Sequence, residues 1–538
     1  MKNSKFLCLF LMALAVFAFS GCGSSNNNYF ADEETPNAQS EDITPSPVAP
    51  VAPDPQSGDF VPAPDNTPAP PVSSADQPVP LPMPTPTSGE QYPYEPIPPT
   101  PASDDMVPIP PTTPEDQLPV QTPTTAEPPE SQDVNEVESE DVSVVPESVD
   151  TTPINTETGE VFSETESMKN ALLVSGKTET YTNITVTKTG DATGSSDGTS
   201  GYDWTGTNAA VLAKGGANLT ITGATITSDA VGGNAVFSYG GSNSNRSGNT
   251  GDGTTITISD STITTTKNNS GGIMTTGGGV MNASNLTITT SGGSSAAIRS
   301  DSGGGTVNVS GGTYTTSGRG SPAIYSTAEI TGSDVKLIAN VSQVVVIEGG
   351  NSVTLTDSTL NANHNQKNGN DSTYQAVLIY QSMSGDASNG SSSFKMTDGS
   401  ITNVQGDIFC VTNTTTTITL SGVEIANTDA SGYFLRAEGQ KWGGSSNGGK
   451  VTLNADGQTI TGDMLIDNLS SLTLNMTNSS IFNGAVNTSG QAGSVSVTIQ
   501  EGSTWTLTGN SYVSSLANNG KINTGSYTLY VNGTAYTE

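Results

Sequence analysis

From about residue 170 onward the chain sets Ile, Leu, Val and Met singly among Gly, Ser, Thr and Asn, and one nine-residue pattern recurs. Positions 1, 3 and 8 are apolar, position 4 is Ser or Thr, and position 5 is Gly, Asp or Asn. Full copies begin at Leu219, Ile256, Val307, Val353, Phe394, Ile418, Leu474 and Trp505, with weaker copies at Gly279 and Ala328. Apolar residues two apart put their side chains on one face of a strand. Position 5 is Gly223, Asp260, Gly311, Asp357, Asp398, Gly422, Asn478 and Gly509. These residue types tolerate φ > 0, so the chain turns sharply there and position 8 belongs to a second inward-facing strand.

Between copies lies a short apolar run: Ala210-Val211-Leu212, Ala235-Val236-Phe237, Gly272-Ile273-Met274, Ala297-Ile298-Arg299, Ala323-Ile324-Tyr325, Val345-Val346-Ile347, Ala376-Val377-Leu378, Asp407-Ile408-Phe409 and Tyr433-Phe434-Leu435. Successive runs are 22 to 37 residues apart and supply a third strand per repeat. Three short strands with sharp corners, repeated at that spacing, predict an all-β fold: a right-handed parallel β-helix, because crossovers between parallel strands are right-handed in nearly all cases. The competing architecture, an antiparallel β-sandwich array, would alternate hairpins without one motif kept in register. Helical pattern is confined to a turn or two around Glu164–Leu173. The longest insertions are 240–253, 382–393 and 439–449, and solenoid insertions tend to gather on the functional face.

Composition divides the chain. All but one of the 32 prolines lie at or before Pro153, the exception being Pro322. No Lys or Arg occurs between Lys5 and Lys169, and that stretch carries 28 of the 52 acidic residues behind the net charge of −35. Residues 22–153 therefore read as a disordered Pro-rich acidic linker, extended by proline and by its own repulsion. Residues 154–175 read as an N-terminal cap and 176–538 as the β-helix proper. Residues 1–21 have the form of a secretory signal: Lys2 and Lys5, an apolar stretch from Phe6 to Phe19, then small residues. Phe19-Ser20-Gly21-Cys22 resembles the bacterial lipobox, with Phe where Leu is usual. The resemblance implies cleavage before Cys22, lipidation of Cys22 and a membrane-anchored surface lipoprotein, at the outer membrane in a didermic cell. Cys410, alone in the repeat region within an apolar run, is expected to be a small buried side chain.

The candidate chemistry is sparse. The absence of any Lys/Arg cluster argues against nucleic acid as a partner. His364 is the single histidine, in an Asn-rich stretch where solvation is expected, and it excludes a two-histidine metal site. The acids fall singly, often at corners such as Asp260, Asp357 and Asp398, where turn formation explains them. No cofactor is implied; the Gly-Gly-x-Gly-x-Asp calcium repeat is absent, and calcium stays an ion to be tested. Positions 2 and 4 should face outward as ladders of Thr, Ser and Asn, interrupted at Lys395.

The coil pattern of 170–538 resembles the right-handed β-helix superfamily of pectate lyases, polygalacturonases, adhesins and non-catalytic carbohydrate-binding members. No lyase signature accompanies it, since Arg246, Arg299, Arg319 and Arg436 sit in no recognisable motif. The resemblance thus implies a non-enzymatic, adhesin-like lipoprotein that binds a polysaccharide or other surface polymer. A polysaccharide lyase or hydrolase and a structural surface-layer protein are the alternatives. The candidate ligand-binding residues are aromatic and lie in Gly/Ser-rich segments: Tyr202, Trp204, Tyr239, Tyr374 and Trp442. Carboxylates and an arginine gathered in one groove would favour an enzyme, and a flat face with exposed rings would favour binding.

Overall fold

The computed structural model describes residues 156–537, except 199, 242–249, 383–385, 444–446 and 491–492. The leader, Cys22 and the whole Pro-rich segment 22–153 lie outside the described residues.

The described chain is a parallel β-helix. Third strands stack into an 11-stranded parallel sheet, and first and second strands merge into a 22-stranded one. The merger arises where first and second strands run on through the corner, at Ser352–Ala362 and Ser391–Asn403. The solenoid already has full coils at its start. β1 (Thr156–Thr158), β2 (Val161–Glu164) and β3 (Leu172–Ser175) each pair in parallel with the next coil, so residues 156–175 form a coil of strands and the expected helical turn near Glu164–Leu173 is absent.

The repeat explains these strands position by position. Leu219, Ile256, Val307, Val353, Phe394 and Ile418 are buried, as are the residues two places on. The corners are left-handed: φ is 71° at Gly223, 51° at Asp260, 50° at Asp357 and 52° at Asn478. Each corner amide reaches the next coil, as in Asn183 N–H to Thr222 O (2.8 Å) and Gly223 N–H to Ser259 O (3.1 Å). A Cβ on Gly223 would lie 2.3 Å from Asn183 Oδ1, so the stacked corners leave space for glycine alone beside some of the Asn and Asp side chains.

Four departures have simple causes. The weak copies begin two residues later than expected, at Met281 and Ile330, which pair with Ile256 and Val307. Position 3 there is Ala283 or Gly332, too small to mark the strand, and Leu355 fills the space at Gly332. Near the C-terminus a second left-handed residue, Ser479 (φ 63°), follows Asn478 and shifts the phase, so Ile481 is exposed and Phe482 is buried. Trp505 is fully buried as expected, but it stacks on Phe482 in the second-strand column rather than on Leu474, and Gly509 is not left-handed. Three third-strand runs are displaced by one residue: Val345, Phe409 and Leu435 occupy the inward column of Leu172, Val211 and Val236.

The second strand carries an outward pattern that positions 2 and 4 did not reveal. Thr185 and Thr187 begin two threonine columns continued by Thr225/Thr227, Thr262/Thr264, Thr287/Thr289 and Thr313/Thr315, and ended by Lys336/Ile338. Threonine is a good outward strand residue.

Candidate binding cleft

Over its middle coils the third-strand sheet is largely buried on both faces, whereas Leu173 at its start is exposed and Arg436 and Leu465 at its end are half-buried. Its inward column packs into the main core. In its outward column Leu212, Phe237 and Met274 are also buried, and Val346, Leu378 and Cys410 continue it under Trp442. Such a sheet needs cover. Residues from the insertions before the third strand (Asp197, Tyr202, Asp203 and Asp371) and after it (Ser382, Asp386 and Trp442) supply it as two walls. Cys410 is fully buried and burial pushes its thiol up, consistent with a packing role.

Between the walls is a cleft of about 360 Å³. Its floor is the outward residue of four successive third strands: Arg299, Tyr325, Val346 and Leu378. At ~4.8 Å per coil the floor runs about 14 Å along the axis. One wall includes α1 (Tyr202–Thr205), a single turn that brings Tyr202 and Asp203 to the cleft. It stops at Gly206 (φ 68°), where a Cβ would lie 2.7 Å from Leu212 Cδ1. The opposite wall includes the short helical turn Lys441–Gly443 and its Trp442.

Three polar groupings order the cleft. Arg299 donates to Asp301 Oδ2 (2.9 Å), to Asp203 Oδ2 (3.3 Å) and to Ser294 O (3.2 Å). Burial raises Asp203 to about 6, with Arg299 opposing the rise and Asp197 adding to it. Burial also lifts Asp301 well above the usual carboxylate range, against the pull of Arg299. In the second grouping Glu348 accepts hydrogen bonds from the hydroxyls of Tyr325 (2.6 Å), Tyr380 (2.7 Å) and Ser382. Burial, then the nearby Glu348 carboxylate, keeps both tyrosines protonated far beyond their ordinary range. In the third, Asp371 accepts from Gln343 (3.0 Å), Trp442 Nε1 (3.2 Å) and the Asn368 amide (3.1 Å), and burial raises its carboxyl.

His364 belongs behind this third group rather than in solvent, which corrects the sequence expectation. It is fully buried, accepts the Gln375 amide at Nδ1 (3.1 Å), and places Nε2 3.5 Å from Asp371 Oδ2. Tyr374 packs edge-on against it (5.2 Å). Burial pushes the imidazole down to about 4, so it is neutral at physiological pH.

The five aromatic candidates separate. Tyr202 and Trp442 line the cleft, but both are nearly buried rather than exposed, because they cap the outward face of the sheet. Trp204 is buried outside the cleft lining, its carbonyl accepting from Thr276 Oγ1 (2.8 Å). Tyr239 packs on the Leu212–Phe237–Met274 cluster and Tyr374 on His364, under the Lys367 ammonium (4.7 Å). Sequence reasoning missed Asp203, Arg299, Asp301, Tyr325, Glu348 and Tyr380. The acids that look solitary along the chain are gathered by stacking. A usable signal was present: Ala-Ile-Arg and Ala-Ile-Tyr put polar or aromatic residues in a slot that is otherwise apolar.

Among the described residues no group of three or more His, Cys, Asp and Glu is arranged to hold a metal ion, and no helix is long and apolar enough to cross a membrane. No family model, no curated protein and no solved structure matches this chain.

Proposed function

We propose that the protein is an adhesin-like surface lipoprotein that binds a glycan in the cleft over the third sheet without cleaving it. The observation that carries this reading is the cleft itself. It crosses four coils, its volume lies in the range of small-ligand sites, and it combines the rings of Tyr202, Tyr325, Tyr380 and Trp442 with ordered carboxylates. Aromatic rings pack against the apolar faces of sugars, and carboxylates accept from their hydroxyls. The carboxylates are already engaged: Asp203 and Asp301 by Arg299, Glu348 by three hydroxyls, and Asp371 by three N–H donors. Groups fixed in this way suit recognition more than proton transfer. The resemblance of the coil pattern to carbohydrate-binding β-helices adds an analogy of fold alone. Display at the surface follows from the Cys22 lipobox resemblance and the Pro-rich segment.

A second reading, glycoside hydrolysis, is favoured by one observation: Asp203 and Asp301 share a guanidinium in one groove, and burial holds both carboxyls above the usual carboxylate range. A glycan array and insoluble-polysaccharide pull-down, with and without calcium, separates the two. Saturable binding that Trp442→Ala or Tyr380→Ala reduces at least tenfold, with no sugar released, supports the binder. Released oligosaccharides would transfer the assignment to the hydrolase. Binding to nothing would leave a structural surface-layer role. The anchor is tested separately: Cys22→Ser should abolish incorporation of labelled fatty acid and shift the protein to the soluble fraction.

A further inference from the structure

We infer that the unit held in the cleft is positively charged: an amine-bearing sugar rather than a neutral or uronic one. This rests on the glycan-binding reading above and names the class of its ligand.

The charge of the lining is one-sided. Asp197, Asp203, Asp301, Glu348, Asp371 and Asp386 line the cleft, and among the described residues Arg299 is its single cationic side chain. Arg299 is turned away from that task by its own bonds. Its donors go to Asp301, Asp203 and the Ser294 carbonyl, so it is not presented as an anion clamp, and a uronate would meet carboxylates.

The aromatic residues point the same way. The Tyr380 and Trp442 rings lie 4.6 Å apart at 57°, forming a corner rather than a flat stacking platform. Tyr325 and Tyr380 both donate their hydroxyl protons to Glu348, which enriches their rings in electron density. Tilted, electron-rich rings beside a carboxylate form the environment that attracts an ammonium group.

Calorimetric titration of the whole chain, at about pH 6 where sugar amines remain largely charged and at low salt, tests the inference. The probes are the tetramers of glucosamine, N-acetylglucosamine and galacturonate, with a short aliphatic diamine as a fourth. The glucosamine tetramer should bind at least about tenfold more tightly than its acetylated counterpart, and galacturonate should not bind. Salt should weaken the glucosamine complex, and Glu348→Gln should cost it about tenfold or more. Asp197→Asn, at an exposed position that does not endanger folding, should cost a few-fold and reduce the salt dependence. Equal or tighter binding of the acetylated tetramer overturns the charge inference and leaves the glycan reading standing. Galacturonate binding overturns it as well. A diamine binding as tightly as the sugar tetramer keeps the charge inference and removes the glycan reading. No binding by any probe overturns both.

Discussion

At each corner a single residue with positive φ lets three strands close into a coil, and that residue's chemistry is constrained twice. A Cβ in the left-handed region costs roughly 1–2 kcal/mol, less for Asn and Asp. Stacking adds a local limit, because at Gly311 (φ 62°) a Cβ would lie 2.6 Å from Asn285 Oδ1. Gly311→Ala is therefore expected to destabilise the protein by about 1–3 kcal/mol in urea unfolding, whereas Asp357→Asn should stay within about 0.5 kcal/mol. Corner acids were legible in the sequence because one residue and its neighbours explain them. His364 was not, because its burial depends on residues 363–374 folding over the sheet. Its folded-state acidity of about 4 lies below the ordinary imidazole value of 6.5. The unfolded chain then binds the extra proton between those values, so this residue lowers stability as pH falls from about 6.5 to about 4. The full difference is worth about 3 kcal/mol. Asp203 contributes the opposite slope in nearly the same window, since its carboxyl is raised from 3.8 to about 6 and it favours the folded state at low pH. The net profile can thus look flat, and a variant reveals the histidine. The stability advantage of wild type over His364→Gln should shrink by about 3 kcal/mol on going from neutral pH to about pH 4. An advantage that does not change with pH would show that His364 takes up its proton equally in both states.

At the scale of strands and turns, periodic apolar residues were readable and buried backbone donors were not. The apolar columns follow from period-2 alternation, and they placed nine of the eleven third strands to within one residue; Leu172–Ser175 and Met464–Ile466 lay outside the nine runs. The turn into the third strand is held differently. Buried serines stack and accept the amides of the preceding coil: Gly233 N–H to Ser270 Oγ (3.1 Å), Ser270 N–H to Ser295 Oγ (2.9 Å) and Ser295 N–H to Ser321 Oγ (2.9 Å). In a chain this rich in serine, nothing marks these from exposed ones until the coils are stacked. The consequence is unequal sensitivity among residues of identical chemistry. Ser295→Ala would strand the buried Ser270 amide and should cost about 1–3 kcal/mol, while Ser310→Ala, at an exposed outward position, should change stability by less than about 0.5 kcal/mol. Denaturant midpoints of the two variants give the comparison, and equal midpoints would show that the serine stack is incidental.

For the whole molecule, the fold was legible and the cleft was not, for the same physical reason. A solenoid repeats its core in every coil, so its architecture is written many times along the sequence. Its cleft is written once, in residues from Asp197 to Trp442 that approach only because coils stack in register. The same nearest-neighbour construction separates stability from function. Trp505 is fully buried near the C-terminal end, stacks on Phe482 at 5.5 Å and donates Nε1–H to Gly484 O (2.9 Å). Trp505→Ala should cost about 3–5 kcal/mol locally. Its effect should remain in the last coils, because the cleft floor lies on third strands between Ile298 and Tyr380 and each coil packs mainly on its neighbours. Hydrogen exchange should show amides after about residue 480 losing protection while residues 298–348 keep theirs, and cleft affinity should change by less than about twofold. Loss of protection along the entire solenoid would mean that its coils unfold as one cooperative unit, and that the cleft depends on packing far beyond the coils that form it.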